Sequence, residues 1–374
     1  MPLQEAAASR WQELAAGAAL PLREPWMAAE RGRVGRASDV VVAGGLAARV
    51  LLVDVDEPRT GYTLADLLGQ RDASPGWLPT GPTVFVGALG ARLPAVVGDL
   101  CGPPTACEAL LHQIEDWARD RGAHAVAVGP VPGTHEWSGL EGVLASAGYR
   151  PVTQLPEAVL HIDETGMSGV LERLPQGQRK NVRRQIRVFE RSGGRVERLA
   201  TDRADNPEAA MLLRDHYRKF GHRATLADAA DRLRRARAIP GASVLAATDD
   251  SGIRGISVVA VDLVRKELFS RLSACRRDTA FSYFNLIFYA RVDEAAARGA
   301  TTLHYGDTTY APKVQRGCTL RGLTTYVRLI DTEPPDFVRR CAEVSASNLE
   351  TVRSELPRGY DHLLDPLNLG GTRG

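Results

Sequence analysis

The chain has 374 residues, 44% of them apolar and 25% charged, with a formal net charge of +2. That is the composition of an ordinary soluble globular protein, long enough for two domains, and it gives no global case for nucleic-acid binding, so charge has to be read locally. No apolar run approaches the ~18–20 residues of a membrane helix. Five scattered cysteines (Cys101, Cys107, Cys275, Cys318, Cys341) form no metal-binding spacing and read as reduced structural thiols of a cytoplasmic protein.

Residues 1–36 read as helix with breaks: Trp11 and Leu14 share a face, and Pro21 and Pro25 interrupt. Glu5, Glu13 and the lack of a basic leader argue against a signal peptide. Strands are predicted over 40–42 and 47–55, joined at the hairpin signal Gly44-Gly45. Residues 56–82, rich in Pro, Gly and Asp, read as a long loop. It is either a lid, with Gly61-Tyr62-Thr63 touching ligand, or disordered. Strands follow over 83–88 and 93–100, then helix 105–119, strand 124–128, helix 137–147 and strand 157–162.

The most charged stretch is 178–191, QRKNVRRQIRVFER. Val182, Ile186 and Phe189 make one buried stripe of an amphipathic helix, and Arg179, Arg183 and Arg187 make a second, basic one. Between Arg173 and Arg198 nine Lys/Arg face two acids, Glu190 and Glu197. Gly193-Gly194 ends the helix. Helices over 207–220 and 225–238 lead to strands 243–247, 256–263 and 266–275. A helix from 281, a strand 301–305, a closing strand 323–330 and a helix 336–356 with Phe337, Cys341 and Val344 on one face complete the chain. The last residues, from Leu367, read as a frayed tail.

Two segments share a device. Arg121-Gly122-Ala123 and Arg298-Gly299-Ala300 each follow a helix, and each is followed by five strand-like residues and a glycine, Gly129 and Gly306. This predicts a duplicated α/β unit. Each half reads as strands, helix, strand, helix and closing strand, a mixed sheet with helices on both faces. No GxGxxG or GxxxxGK[ST] stands where a doubly wound nucleotide fold needs it. The expected division is 1–160, 161–335 and a terminal helix and tail over 336–374.

Three stretches carry a family resemblance: QRKNVRRQIRVFERSGG, HYGDTTYAPKVQRGC and LEGVLASAGYRPV. Together with the doubled strand–helix order, they resemble the Fem-like branch of the GNAT superfamily, the peptidoglycan-bridge aminoacyltransferases and related amide-forming acyltransferases. The likeness covers about 40–335. Two features depart from it. The coenzyme-A loop [QR]-x-x-G-x-[GA] is missing, since 119–124 (RDRGAH) and 191–196 (RSGGRV) both fail at the last position. No long helical arm is inserted in the second half, where 207–238 supplies only a short helical pair.

The resemblance implies an N-acyltransferase or aminoacyltransferase made of two tandem GNAT-like units, with a catalytic C-terminal unit and a cleft either in it or between the two. An acceptor amine attacks an activated donor directly, without metal and with no tightly bound cofactor. The donor is acyl-coenzyme A, an acylated carrier protein or an aminoacyl-transfer RNA; the partners are a small-molecule amine and either a carrier protein or a transfer RNA. Ligands gather at strand ends in such sheets, which singles out Tyr305, Asp307, Thr308 and Lys313. Lys313 is placed either to grip a donor carboxyl or phosphate or polarise a carbonyl, or as a surface lysine at a helix start. Asp307 either handles a proton or caps the next helix. Arg276 and Arg277, before the helix from 281, are set either to bind donor phosphate with the helix N-terminus or to be solvated. The Arg179, Arg183 and Arg187 stripe divides the same way. Tyr283 and Tyr289 face either the cleft or the core, and His216 is a substrate-side base or a packed helix residue. A non-catalytic binder of RNA or of a carrier protein is the rival reading.

Overall fold

The computed structural model describes residues 2–30, 37–54, 62–69, 81–200, 206–221, 223–276, 281–331 and 333–370. In chain order the elements are α1 (Pro2–Ala15), α2 (Glu24–Glu30), β1 (Ala37–Ala43), β2 (Leu46–Val53), α3 (Leu64–Leu67), β3 (Thr83–Val86), β4 (Val96–Val97), α4 (Pro104–Asp120), β5 (Ala125–Pro132), α5 (Ser138–Ser146), β6 (Arg150–Thr153) and β7 (Glu157–His161). There follow α6 (Met167–Arg173), α7 (Gln176–Arg191), β8 (Arg195–Arg198), α8 (Pro207–Lys219), α9 (Leu226–Arg237), β9 (Ala242–Asp249), β10 (Gly252–Asp262), β11 (Glu267–Cys275), α10 (Ser282–Phe284), a π-helical turn (Asn285–Tyr289), α11 (Ala290–Ala297), β12 (Thr302–His304), α12 (Tyr310–Val314), β13 (Thr319–Arg321), β14 (Leu323–Leu329) and α13 (Pro335–Glu355). Two compact units divide the chain: Met1–Glu157 with Leu320–Gly374, and Ala158–Thr319.

The first unit is built on a sheet ordered β1-β2-β3-β5-β14-β6, with β4 beside β2. Its hairpin turns at Gly44 and Gly45, both left-handed, as a tight turn between strands demands. Trp11, Leu110, Ile114, Leu140 and Leu144 cover one face and Leu68, Phe337 and Cys341 the other. Buried Glu115 on α4 accepts hydrogen bonds from the Tyr149 hydroxyl (3.1 Å), Arg328 (2.7 Å) and Arg119 (3.3 Å), so this core's acid meets its cations.

The closing strand expected in the second unit lies instead in this first sheet: β14 pairs antiparallel with both β5 and β6. Its alternating burial, Leu323, Thr325, Val327 and Leu329 inward, suits a position between two strands, and α13 packs on β6 beside it. The division therefore differs from the expected 161–335 and 336–374. The predicted strand 93–100 shrinks to two residues, because Pro94 and left-handed Gly98 bound it. Inside the expected lid, Thr63 caps the short helix α3 and Tyr62 packs on Phe85 with ring centroids 4.6 Å apart; Gly61 and most of that loop lie outside the described residues. Leu367 is buried, so the start of the tail is held down.

The second unit has the sheet order β13-β7-β12-β11-β10-β9-β8. Each sheet holds a parallel pair, β3 with β5 and β11 with β12. In each, the later strand of the pair meets an antiparallel neighbour on its other side, β14 or β7. The two RGA segments occupy matching places. Arg121 and Arg298 are C-caps, Gly122 and Gly299 are left-handed, and Ala123 and Ala300 return a bond to the carbonyls of Ala118 and Ala295, which is one helix-ending geometry used twice. The two units share this strand pattern.

An added Cβ at Gly122 or Gly299 meets nothing within 4 Å, so only the left-handed backbone opposes it. Gly122→Ala and Gly299→Ala should each cost about 1 kcal/mol. Urea unfolding of the two variants should give matching losses; a large difference would mean the two turns are not equivalent.

Candidate active site

In the second unit β12 runs beside β11 only from Glu267 to Phe269 and then stops at His304. β11 continues to Cys275 paired with β10 alone among the described residues. The two strands thus part, and the chain after each enters the region of the parting: α10 and the π-helical turn after β11, the Gly306 turn and α12 after β12. Three non-glycine residues in the described chain take left-handed backbone, and two of them, Phe281 and Thr309, start these helices. Strain and π-turns of this kind gather at functional sites.

Around the parting sits a buried cationic and phenolic cluster. Arg316 is only 5% exposed. Its Nε donates to the Tyr289 hydroxyl (3.1 Å), one Nη to Gln185 Oε1 (2.8 Å) and the other to the Pro312 carbonyl (2.7 Å). Its plane lies 4.0 Å from the Phe284 ring centroid. The Tyr289 hydroxyl donates to the same Gln185 oxygen, and Asn285 donates to the Gln185 carbonyl (3.4 Å). In the wider π-turn Asn285 and Tyr289 therefore both face α7. Arg291, 2% exposed, donates to Ser257 (2.9 Å) and Ser273. Among the described residues neither Arg316 nor Arg291 meets a carboxylate. Burial lowers the Arg291 pKa against the opposing pull of Tyr305, Tyr283 and Cys275. Burial likewise pushes up the phenols of Tyr283, Tyr289 and Tyr305, outweighing the nearby arginines, so these side chains stay neutral hydrogen-bond donors. Burial also drives the thiols of Cys275 and Cys318 to about 12, which removes them as nucleophiles.

A pocket of about 140 Å³ opens on the cluster, lined by Gly177, Gln178, Asn181 and Val182 of α7 with Gln315 and Arg316. Helix α7 begins after Pro175, and no side chain caps its first turn.

The sequence-derived candidates fall into three groups. Tyr305, Tyr283 and Tyr289 belong to the cluster: Tyr305 stacks on Phe288 at 4.9 Å and bonds its carbonyl (3.3 Å), Tyr289 is core and site at once, and Tyr283 is 46% exposed. Lys313 is not a surface lysine; it is buried and its ammonium donates to the Gly306 carbonyl (3.0 Å). The Asp307 carbonyl accepts from the Tyr310 hydroxyl (2.8 Å), and Thr308 is exposed. These residues shape the turn. Arg179 bonds the Leu174 carbonyl (3.2 Å), while Arg183 and Arg187 are exposed. Arg276 pairs with Glu208 at 3.2 Å, and Arg277 lies outside the described residues. His216 packs against Phe220 on α8, ring centroids 5.0 Å apart, and is not a partner of the cluster's arginines. Sequence reasoning missed Arg316, Arg291 and Gln185. Gln185 left a signal, since it stands three residues after Val182 on the buried stripe of α7.

No protein-family model matches the sequence, and no curated protein matches it. Solved structures do. FemX superposes with a TM-score of 0.59 at 12% identity, over 85% of this chain and 95% of that one. The C-terminal domain of a protein assigned as lysylphosphatidylglycerol synthetase, from Agrobacterium fabrum, gives 0.55 at 14% identity, over 92% and 97%. A conserved protein of unknown function from Bacteroides thetaiotaomicron gives 0.53 at 9%, over 87% and 96%. The chain shares its fold with these three structures.

Tyr289→Phe leaves Arg316 Nε and one acceptor site on Gln185 without partners. It should destabilise the protein by about 1–3 kcal/mol, measured by chemical denaturation, and an unchanged midpoint would remove Tyr289 from the network.

Proposed function

We propose that this protein transfers an acyl or aminoacyl group from an activated ester or thioester to an amine, and that the second unit does so. The observation that carries the reading is the parting of β11 from β12 beside buried, unneutralised cations. An extended donor can add to the free edge of β11 beyond Phe269 by backbone hydrogen bonds. Neutral donors then surround the acyl oxygen, where charge develops when the amine attacks. The new C–N bond forms as the C–S or C–O bond of the donor breaks. The amine gives up a proton, and the leaving sulfur or oxygen needs one. Tyr283, half-exposed and held protonated, is the phenol placed to supply it. Arg291 and Arg316 flank Tyr305, and in this reading they stabilise the negative charge. Lys313 and Asp307 act by holding the Gly306 turn in shape. The Fem-like fold supports amide formation as the reaction class.

The donor side is α7. Lys180, Arg183, Arg187 and Arg191 are exposed, and among the described residues none of them forms an ion pair. Such a face favours a polyanionic donor, an aminoacyl-transfer RNA, over acyl-coenzyme A or an acylated carrier, although all three present phosphate. The same cations underlie the second reading, a binder of RNA or carrier protein without catalysis. No helix among the described residues is long and apolar enough to cross a membrane.

Native mass spectrometry of the protein titrated with acyl-coenzyme A, a loaded carrier protein and aminoacyl-transfer RNA, each with a mixture of amines, tests the reading. Formation of an amide with one donor is the expected result; binding without product from any donor would favour the second reading. Once the donor is known, Tyr283→Phe should slow turnover about 10²-fold. Because its phenol is raised above the ordinary 10, the acid form persists below that pH. The pH–rate profile should therefore rise with amine deprotonation and show no falling limb before pH 10. Turnover that is unchanged in Tyr283→Phe would contradict the assignment.

A further inference from the structure

Beyond the part that Arg316 takes in the acyl-transfer reading, the pocket between it and α7 has a composition which that reading does not use. Arg316 spends three of its five N–H groups on neutral acceptors. The remaining two belong to the Nη atoms of a side chain that is 5% exposed, meets no carboxylate among the described residues, and lines the pocket. Opposite stands the first turn of the 16-residue helix α7. Its N-cap, Pro175, makes no side-chain cap bond, and the Arg179 amide bonds back to the Pro175 carbonyl at 3.0 Å. The positive end of the helix dipole lies at this turn. Asn181 adds a neutral amide to the wall. No carboxylate lines the cavity.

We infer that this pocket is an oxyanion site that takes a single carboxylate or phosphate group of a ligand. A buried guanidinium keeps its full charge, and hydrogen bonds to neutral groups orient it without neutralising it. Carboxylate and phosphate both match its fork. The volume of about 140 Å³ sets the size. It is well below the ~300 Å³ where pockets for whole small molecules begin, so the site admits the acidic terminus of a ligand and leaves the rest outside. The inference stands on the pocket itself and holds whether or not acyl transfer occurs.

Isothermal titration with inorganic phosphate and, separately, with acetate tests it, at constant ionic strength set by a chloride salt. Saturable binding of one equivalent is expected. Phosphate alone would identify a phosphate ester as the ligand group, and acetate alone a carboxylic acid. Asn181→Asp places a negative charge in the wall and, because Asn181 is exposed, leaves the core intact; it should weaken binding at least about tenfold. Arg183→Gln removes an exposed cation of the same helix outside the pocket and should change affinity less than about threefold. Binding of neither anion overturns the inference. So does an Asn181→Asp variant that binds as wild type, or an Arg183→Gln variant that loses as much as Asn181→Asp, since the anion would then sit on the basic face of α7.

Discussion

A guanidinium buried without a carboxylate is the constraint around which the second unit is arranged. Removing Arg316 from water costs several kcal/mol. Three hydrogen bonds from a charged donor, each worth about 1.5–3 kcal/mol, and the Phe284 face, worth up to about 2 kcal/mol when dry, are what the fold sets against that cost. Each of these partners comes from a different piece of chain: Gln185 from α7, Tyr289 from the π-helical turn, Pro312 from α12. The widened turn is understandable in these terms. It brings Asn285 and Tyr289 to the same residue of α7, where one bonds the Gln185 backbone and the other its side chain. The offset is an offset in energy only, because none of the partners carries negative charge.

The duplication sharpens the point. Both units end a helix with the same Arg-Gly-Ala geometry and send the next strand into a parallel pair. In the first unit the helix before that motif buries Glu115, which meets Arg328 and Arg119. In the second unit the corresponding helix buries Glu294, which meets Arg198 and Arg298, and also Arg291, which among the described residues bonds two serines and no carboxylate. The second copy therefore holds a neutralised ion cluster as the first does, and beside it an unneutralised cation. A structural role is served by the neutralised clusters. The unneutralised cation is the one that needs an explanation beyond folding.

What could be read from the chain follows from what is local. The helix endings at Gly122 and Gly299, the hairpin at Gly44-Gly45 and the amphipathic face of α7 are set by residues within a few positions of one another, and they stand as predicted. The destination of β14 is not local. Its sequence specifies a strand with alternating burial but not which sheet receives it, and both sheets offer an antiparallel place beside the parallel pair. Arg316 is hidden for a similar reason. Arginine is almost never fully buried unless paired, and nothing in Val314-Gln315-Arg316-Gly317 indicates that two distant segments, α7 and the π-helical turn, will close around it. Lys313, which drew attention by its place after a strand-end turn, proves to serve that turn. Tyr289 defeats the choice between cleft and core because its ring is core and its hydroxyl belongs to the cluster.

Charge placement on α7 gives the last step. Several arginines on other helices are neutralised by neighbours: Arg339 by Asp336 and Glu343, Arg353 by Glu350, Arg234 and Arg235 by Asp231. On α7, Lys180, Arg183, Arg187 and Arg191 are not, although the same chain supplies acids freely, so the imbalance reflects position and not composition. Exposed cations act over roughly a Debye length, about 8 Å in physiological salt, and they raise the local concentration of an anion without selecting its shape. Arg316 is the opposite kind of group, since it reaches only what enters the pocket and its fork fixes orientation. The inner face of α7 positions that fork through Gln185, while its outer face carries the unselective charge. In the proposed reading one helix thereby joins capture to selection, and a substitution on either face should be separable from the other because the two act at different distances and respond differently to salt.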